Sequence, residues 1–527
     1  MNLGNILEKL KCNKKNGLVY YQKKEKITKL FPEVYNDILK VVDFLGKMGL
    51  KAGEKVGILG NNSYEWVLLD LACIVQGYQS VVFHTNGFES EFLNLFDHYG
   101  LKVLFIDADF EKKFNEKNNV FPMTFIAEQL NSTCIEQDRL CECKDEDRFT
   151  IVFTSGTTGL PKPIELKAEI VEDFIVNLQA MFEVSENDNI TVFLPLSNIL
   201  QRLYIYAAVL SGFNIVMTKP ENIVRVLNND KPTILVGIPY FFESMYNIFF
   251  EKIKSSRVSH TLFKTYSNLY HFLPKKINEQ LQRKLFKEIT DFWGGKMRIM
   301  VTGGASISQR VLEFYDIVGL HLYQVYGMNE TGPISMNFPG ENKIGSVGKP
   351  FPNKTVKVDD NGQILVNNKI KWASEYFGIG QEENLLVFKK DGFIATGDIG
   401  YFDNEGFLHI SGRVKEMIVL SNAKKVFPGI IESEFNNSKL IKQSAVFGDG
   451  KSYLVAVIVT DNKDISNEQL SREIKNINKK IPQHAQVNGF TVVRDAFNLD
   501  NKMLTPSMKL NRSLIYKTYK KQIDELY

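Results

Sequence analysis

The sequence predicts an α/β protein. A large N-terminal part of parallel-rich sheets is covered by helices and ends in a small antiparallel β subdomain. A small C-terminal α+β domain follows. Three observations predict this. Short apolar runs alternate with longer amphipathic ones in the first part of the chain. Asp/Asn/Gly turns crowd together from about residue 345, and the texture changes again after Gly412.

Taken in order, KVGIL (55–59), QSVVF (79–83), KVLFI (102–106), FTIVF (149–153) and ITVFL (190–194) read as buried strands. A continuous apolar run marks a strand covered on both faces, as in a parallel sheet. The patterns from Glu65 to Gly77 and from Glu89 to His98 read as helices between them. Past 345, DDNG (359–362), KKDG (389–392) and DNEG (403–406) are hairpin signals. In the last part, a strand at 453–459, a helix at about 466–480 and a strand at 490–494 complete the small domain.

Composition narrows the partners. The 527 residues hold 64 Lys+Arg against 61 Asp+Glu, a net charge of +3. That balance argues against nucleic acid as the main partner, because phosphate binding leaves a basic footprint. The length suggests two to four domains, since single cores stop growing near about 250–300 residues. Five cysteines, odd in number and scattered, suit a reducing compartment rather than a disulfide framework. Cys134, Cys141 and Cys143 cluster in CIEQDRLCEC without a common zinc spacing or a nearby histidine, and read as a solvated linker. The longest apolar stretch, Ile205 to Met217, is too short to span a membrane, and MNLGNILEKLKCNKK lacks the apolar core of a secretory leader. The expected location is cytoplasmic. One segment, 246–296, is aromatic-rich and carries ten Lys/Arg against four Asp/Glu. It reads either as a surface that meets an anionic membrane from the cytosolic side or as a pair of ordinary surface helices.

The segment FTSGTTGLPK (153–162) directly follows a predicted strand. Its glycines let backbone fold tightly round an anion, and its hydroxyls and N–H groups donate to phosphate oxygens. Lys162 adds a point charge. It is not a Walker loop, because no Gly-Lys-Ser/Thr follows at the required spacing. No GxGxxG follows a strand either, which disfavours a nicotinamide enzyme.

With that loop in view, the sequence resembles the adenylate-forming superfamily of acyl-CoA synthetases, luciferases and nonribosomal-peptide adenylation domains. Four further segments carry the resemblance in order: YGMNETG (326–332), TGD (396–398), GRVKEMIVLSNAKKVFPGIIE (412–432) and LTPSMKLNR (504–512). KPTILVGIPYFFESMYN (231–247), RIMVTGGASIS (298–308) and NKIGSVGKPFP (342–352) resemble the long-chain fatty acyl-CoA synthetases in particular. The resemblance implies an N-terminal AMP- and acyl-binding domain, 1–412, with a mainly β subdomain at 345–412. It implies a mobile lid domain at 413–527.

What the resemblance implies chemically is an AMP-forming long-chain fatty acid–CoA ligase. A fatty carboxylate attacks the α-phosphate of ATP, and coenzyme A then displaces AMP. Thr154, Ser155, Gly156, Thr157, Thr158, Gly159 and Lys162 would hold the β- and γ-phosphates. Glu330 would coordinate Mg²⁺. Tyr326, beside Gly327, would stack on adenine, and Gly303, Gly304 and Ala305 would let backbone lie close to the base. Asp398 would bind the ribose and Arg413 the nucleotide. Lys509 would stabilise charge at the α-phosphate, and Lys415 would be the hinge on which the lid rotates.

Four positions depart from the family pattern. Pro163 stands for a glycine, so one backbone donor is lost. Asn329 replaces a threonine that donates to the α-phosphate. Asn198 replaces a histidine or aromatic residue of the acyl site. Ala423 replaces a glycine on the thioester face, and a positive φ there would strain it. Two alternatives stay open: an adenylating enzyme for another acid or thiol, and an attenuated relative that only binds nucleotide or acyl group.

Overall fold

A computed structural model of the chain describes residues 2–22, 25–85, 95–114, 119–131, 143–154, 161–436, 438, 440–460, 465–498, 500–504 and 510–527. Two parallel-rich sheets dominate. The six-stranded sheet runs Val120–Pro122, Leu101–Ile106, Lys55–Leu59, Gln79–Phe83, Arg148–Phe153, Pro163–Lys167. Only its last pair is antiparallel. The nine-stranded sheet has Leu322–Met328, Ile299–Gly303, Ile234–Gly237, Asn189–Val192, Asn214–Met217 and Gly17–Gln22 in parallel order, with antiparallel strands at both edges.

The helices Tyr64–Gln76 and Ile199–Ser211 are buried along nearly their whole length, among the core residues these sheets share. Their apolar residues therefore do not confine themselves to one stripe, which is what a helix covered on all sides requires. Gly77 closes the first in the left-handed region, at φ 66°. A fully buried guanidinium, Arg202, ties the two helices to the smaller sheet. It lies 2.5 Å from Asp70 Oδ1, and it donates to Thr150 Oγ1 at 2.8 Å and Ser80 Oγ at 3.1 Å.

The turns past 345 form where the sequence places them. DDNG joins Lys354–Val358 to Gln363–Asn368, and DNEG joins Ile394–Phe402 to Leu408–Arg413, within a four-stranded antiparallel sheet. KKDG follows a short helix, Gln381–Val387, and forms a tight turn of its own, with Phe388 bridged antiparallel to Ile394 and the Lys389 amide donating to the Phe393 carbonyl at 2.7 Å. The C-terminal domain holds a three-stranded sheet, Gln443–Phe447, Leu454–Val459 and Val487–Val493, with helices Pro428–Asn436, Asn467–Asn478 and Arg512–Asp524. It is an α+β unit with cores of its own.

Two sequence expectations change, and a third is described only in part. The strand expected at 190–194 ends at Val192, since Phe193 turns into a separate aromatic core. The helix expected from Glu89 is described only at Leu95–Tyr99, and 86–94 lie outside the described residues. Cys143 is buried rather than solvated, and burial pushes its thiol up to about 12. Cys134 and Cys141 lie outside the described residues. No helix among the described residues is long and apolar enough to cross a membrane.

Candidate active site

Phe153 pairs with Pro163 across the antiparallel strands that flank the Ser/Thr/Gly segment. The Thr154 amide donates to the Lys162 carbonyl at 2.9 Å, which draws the ends of that segment together. Ser155, Gly156, Thr157, Thr158 and Gly159 lie outside the described residues. Pro163 costs an N–H, but its carbonyl accepts from the Phe377 amide at 2.9 Å. The Lys162 ammonium sits 2.5 Å from Glu383 Oε1 and 4.8 Å from the centre of the Tyr376 ring.

Glu330 lies at the turn between Leu322–Met328 and Gly332–Met336 and is buried. Its Oε1 accepts from the Tyr376 hydroxyl at 2.8 Å. Burial holds its carboxyl above the usual range, against the opposing pull of that hydrogen bond and of Arg413 and Lys162. Lys162, Tyr376, Glu330 and Arg413 thus form one electrostatic neighbourhood assembled from four separate stretches of chain. The next carbonyl, of Thr331, accepts from Lys354 Nζ at 2.8 Å and from Asn368 Nδ2 at 3.1 Å. Lys354 is itself buried against the Trp372 ring, and burial lowers its ammonium to about 8.

Tyr326 and Asp398 are also brought together. The tyrosine hydroxyl donates to Asp398 Oδ2 at 2.8 Å, and Arg413 Nε donates to Oδ1 at 2.9 Å. Asp398 and Arg413 face each other across paired strands, which sets this geometry. Gly304 has φ 82° and open space where a Cβ would stand, beside Ala305. A Cβ at Gly303, however, would lie 2.6 Å from Val325 Cγ1, and one at Gly327 would strike Gly332 and Pro333. Those two glycines serve the close approach of neighbouring strands, a demand of the sheet itself.

Two of the four departures acquire structural partners here. Asn329 Nδ2 donates to the Phe153 carbonyl at 3.0 Å, so its amide is engaged within the protein. Asn198 caps the helix Ile199–Ser211, its Oδ1 accepting from the Leu200 amide at 3.0 Å. The capping preference of asparagine is a sufficient local reason for that residue. His84 was not singled out by the sequence. Its Nε2 lies 3.2 Å from the same Phe153 carbonyl and its Nδ1 2.9 Å from Ser197 Oγ. Burial lowers its pKa, so the neutral ring links the end of the strand Arg148–Phe153 to the start of the capped helix.

In the C-terminal domain, Lys415 is exposed in the short turn Val414–Glu416. Lys509 lies outside the described residues, while its neighbours Leu504 and Leu510 pair with each other. Arg512, from the same motif, makes a two-pronged ion pair with Glu432, at 2.5 and 2.6 Å. Ala423 has φ 63°, the conformation in which an alanine is strained. Left-handed backbone costs a non-glycine residue about 1–2 kcal/mol. Ala423→Gly is therefore expected to stabilise the turn between Ile418–Val419 and Lys425–Val426. Hydrogen exchange of the 418–426 amides checks it, with slower exchange the expected result.

A mainly apolar cleft opens beside Val325 and Lys354. It is lined by Phe174, Leu178, Phe182, Tyr204, Val325 and Met336 among other apolar residues, with Asp173 and Lys354 as its charged members. Val325 directly precedes Tyr326, and Leu200 of the capped helix also reaches the cleft.

Known proteins match the chain over most of its length. The AMP-binding enzyme family model matches residues 11–370, and the AMP-binding enzyme C-terminal domain model matches 415–527. The chain is 26% identical to the long-chain-fatty-acid–CoA ligase FadD15 of Mycobacterium bovis, over 94% of this chain and 91% of that protein. ATP-bound MatB from Rhodopseudomonas palustris superposes with a TM-score of 0.77 at 19% identity, covering 99% of this chain and 100% of that one. The o-succinylbenzoate coenzyme A synthetase MenE of Bacillus subtilis, solved with ATP and magnesium ion, gives 0.74 at 22% identity, covering 97% and 98%. A family match over most of the length, and the fold it brings, make the chain an adenylate-forming acid–CoA ligase: it belongs to the AMP-binding enzyme family and is close to the long-chain acyl-CoA synthetases.

Proposed function

We propose that the protein is an AMP-forming ligase that joins a long-chain fatty acid to coenzyme A. The observation that carries the acid class is the apolar cleft beside Tyr326 and Glu330, which offers an alkyl chain a lining of aromatic and aliphatic side chains. Its long-chain relatives support the same reading.

A carboxylate is a weak nucleophile, and the phosphates of ATP repel it. The site must therefore neutralise charge and align the reactants. Thr154 to Gly159 and Lys162 hold the β- and γ-phosphates, with Lys162 leaving Glu383 for them. Tyr326, Gly304 and Ala305 receive adenine, and Asp398 and Arg413 receive the ribose and nucleotide. Gly303 and Gly327 keep the neighbouring strands close enough to shape that seat. Asn329 gives up Phe153 to donate to the α-phosphate. Lys509 adds its ammonium where charge builds in the transition state. The chain divides at about residue 412 into the nucleotide- and acyl-binding domain and the lid. The exposed Lys415 is the pivot that carries Lys509 in for adenylation and out for thioester formation.

The donor set fits Mg²⁺. Glu330 offers one buried hard oxygen ligand held in place by Tyr376, and no cluster of three His, Cys, Asp or Glu side chains stands ready among the described residues. Mg²⁺ is commonly bound by one or two carboxylates together with substrate phosphates. When bound with ATP it supplies charge neutralisation at the phosphates.

A second reading, an acid bearing a polar substituent, is favoured by Lys354 and Asp173 within the otherwise apolar cleft. AMP release measured over acids of increasing length, with and without coenzyme A, separates the two. Rising turnover toward long unsubstituted chains, dependent on coenzyme A, is expected. A preference for short, aromatic or polar acids would overturn the long-chain assignment.

A further inference from the structure

The segment 246–296 folds as the end of the helix Pro239–Ser255 followed by Arg257–Leu269, a turn at Tyr270–Phe272, Lys275–Leu285 and Lys287–Phe292. Its inner side is ordinary core. Tyr266 and Phe286 are buried with Trp293 and Phe314, and Phe263 packs beside them. Tyr266 also donates to Asn278 Oδ1 at 3.0 Å, which ties the two middle helices together.

The outer side is not ordinary. Val258, Leu262 and Leu269 follow helical spacing along one face and are 69%, 51% and 50% exposed. Phe272, at the tip between the helices, is 85% exposed, and Ile277 and Leu285 on the following helix are exposed as well. Single exposed apolar residues need no explanation, but a stripe ending in a bare phenylalanine marks a contact surface.

Charge selects the partner. Lys252, Lys254 and Lys287, at the base, pair with Glu288, Glu251 and Asp291. Arg257, Lys264, Lys275, Lys276, Arg283 and Lys284, on the hairpin, are exposed and make no ion pair among the described residues. Arg257, Lys275 and Lys276 open their helices, and neither first turn holds an acidic residue. Cations at helix N-termini oppose the helix dipole, so the fold gains nothing from them. A second copy docked by two-fold symmetry would set this basic hairpin against itself. An anionic bilayer answers both features, taking the apolar side chains at the acyl boundary and the cations at the headgroups.

We propose that the helical hairpin 257–285 docks this protein on anionic membrane surfaces. The docking does not depend on which acid the site activates, so its test reads binding rather than turnover. The full chain is sedimented with vesicles of phosphatidylcholine alone and of phosphatidylcholine mixed with phosphatidylglycerol. Binding to the anionic vesicles only, weakened by salt, is expected. Lys275→Gln and Lys276→Gln should each lower partitioning about fivefold, and Phe272→Ser about tenfold. Unchanged thermal unfolding of the lysine variants confirms that the loss lies at the surface. Wild type that stays in the supernatant, or variants that sediment like wild type, would overturn the proposal. So would a dimer in sedimentation velocity that Phe272→Ser dissolves, since a second copy would then own the face.

Discussion

Glu330→Gln is expected to lower adenylation roughly 100-fold while making the fold more stable. The loss follows because the amide keeps the shape and can still accept from Tyr376, yet it removes the negative charge that the proposed mechanism gives to the cation. Such charge stabilisation is worth several kcal/mol, and about 3 kcal/mol is about 100-fold in rate. The gain follows from burial, which holds the Glu330 carboxyl above the ordinary range. A raised folded-state pKa means that the folded protein binds the proton more tightly than the unfolded chain. Its contribution is therefore fully favourable below the unfolded pKa and is lost as pH rises through the folded one. At neutral pH the buried charge is a cost, and glutamine removes it. Pyrophosphate exchange gives the first quantity. Denaturant midpoints at neutral pH and near pH 4 give the second, with the stabilisation shrinking at the acid end.

Asp70→Ala is expected to destabilise the N-terminal part by about 3–5 kcal/mol, the usual cost of leaving a buried charge without its partner. Arg202 is fully buried, and Asp70 receives its Nη2 at 2.5 Å and its Nε at 3.2 Å. Asp70 also accepts from the Tyr206 hydroxyl at 2.5 Å. The guanidinium lies 5.6 Å from the Trp66 ring centre, so tryptophan fluorescence reports on this neighbourhood. A urea midpoint within error of wild type would show that the pair holds nothing together. Asp70→Asn, which keeps the shape and some hydrogen bonding, should fall between.

The buried strands were legible because each is a continuous apolar run, and the two hairpins because aspartate, asparagine and glycine mark their turns. The described candidate residues, Lys162, Tyr326, Glu330, Asp398 and Arg413, stand out through motifs, and the structure draws them into two linked neighbourhoods. Their roles remain the proposal above. His84, Tyr376 and Lys354 were not legible. Each matters through a partner far away in sequence: His84 through Phe153 and Ser197, Tyr376 through Glu330, Lys354 through Thr331. A lone histidine after a strand, or a lysine in PNKTVKV, carries no local mark of such company. Arg202 is a similar case, since an arginine inside an apolar helix reads as an interruption until Asp70 is seen beside it. Asn198 shows the converse. Its capping signal is present in the sequence, immediately before an apolar helical pattern, while the family resemblance marks it only as a substitution in the acyl site.

The account rests on acid-dependent adenylation, and exchange of labelled pyrophosphate into ATP measures that step without coenzyme A. Purified wild type should exchange pyrophosphate only when a fatty acid is present, most with long chains, and Lys509→Ala should abolish the exchange. Wild type that shows no exchange with acids of any chain length would contradict it.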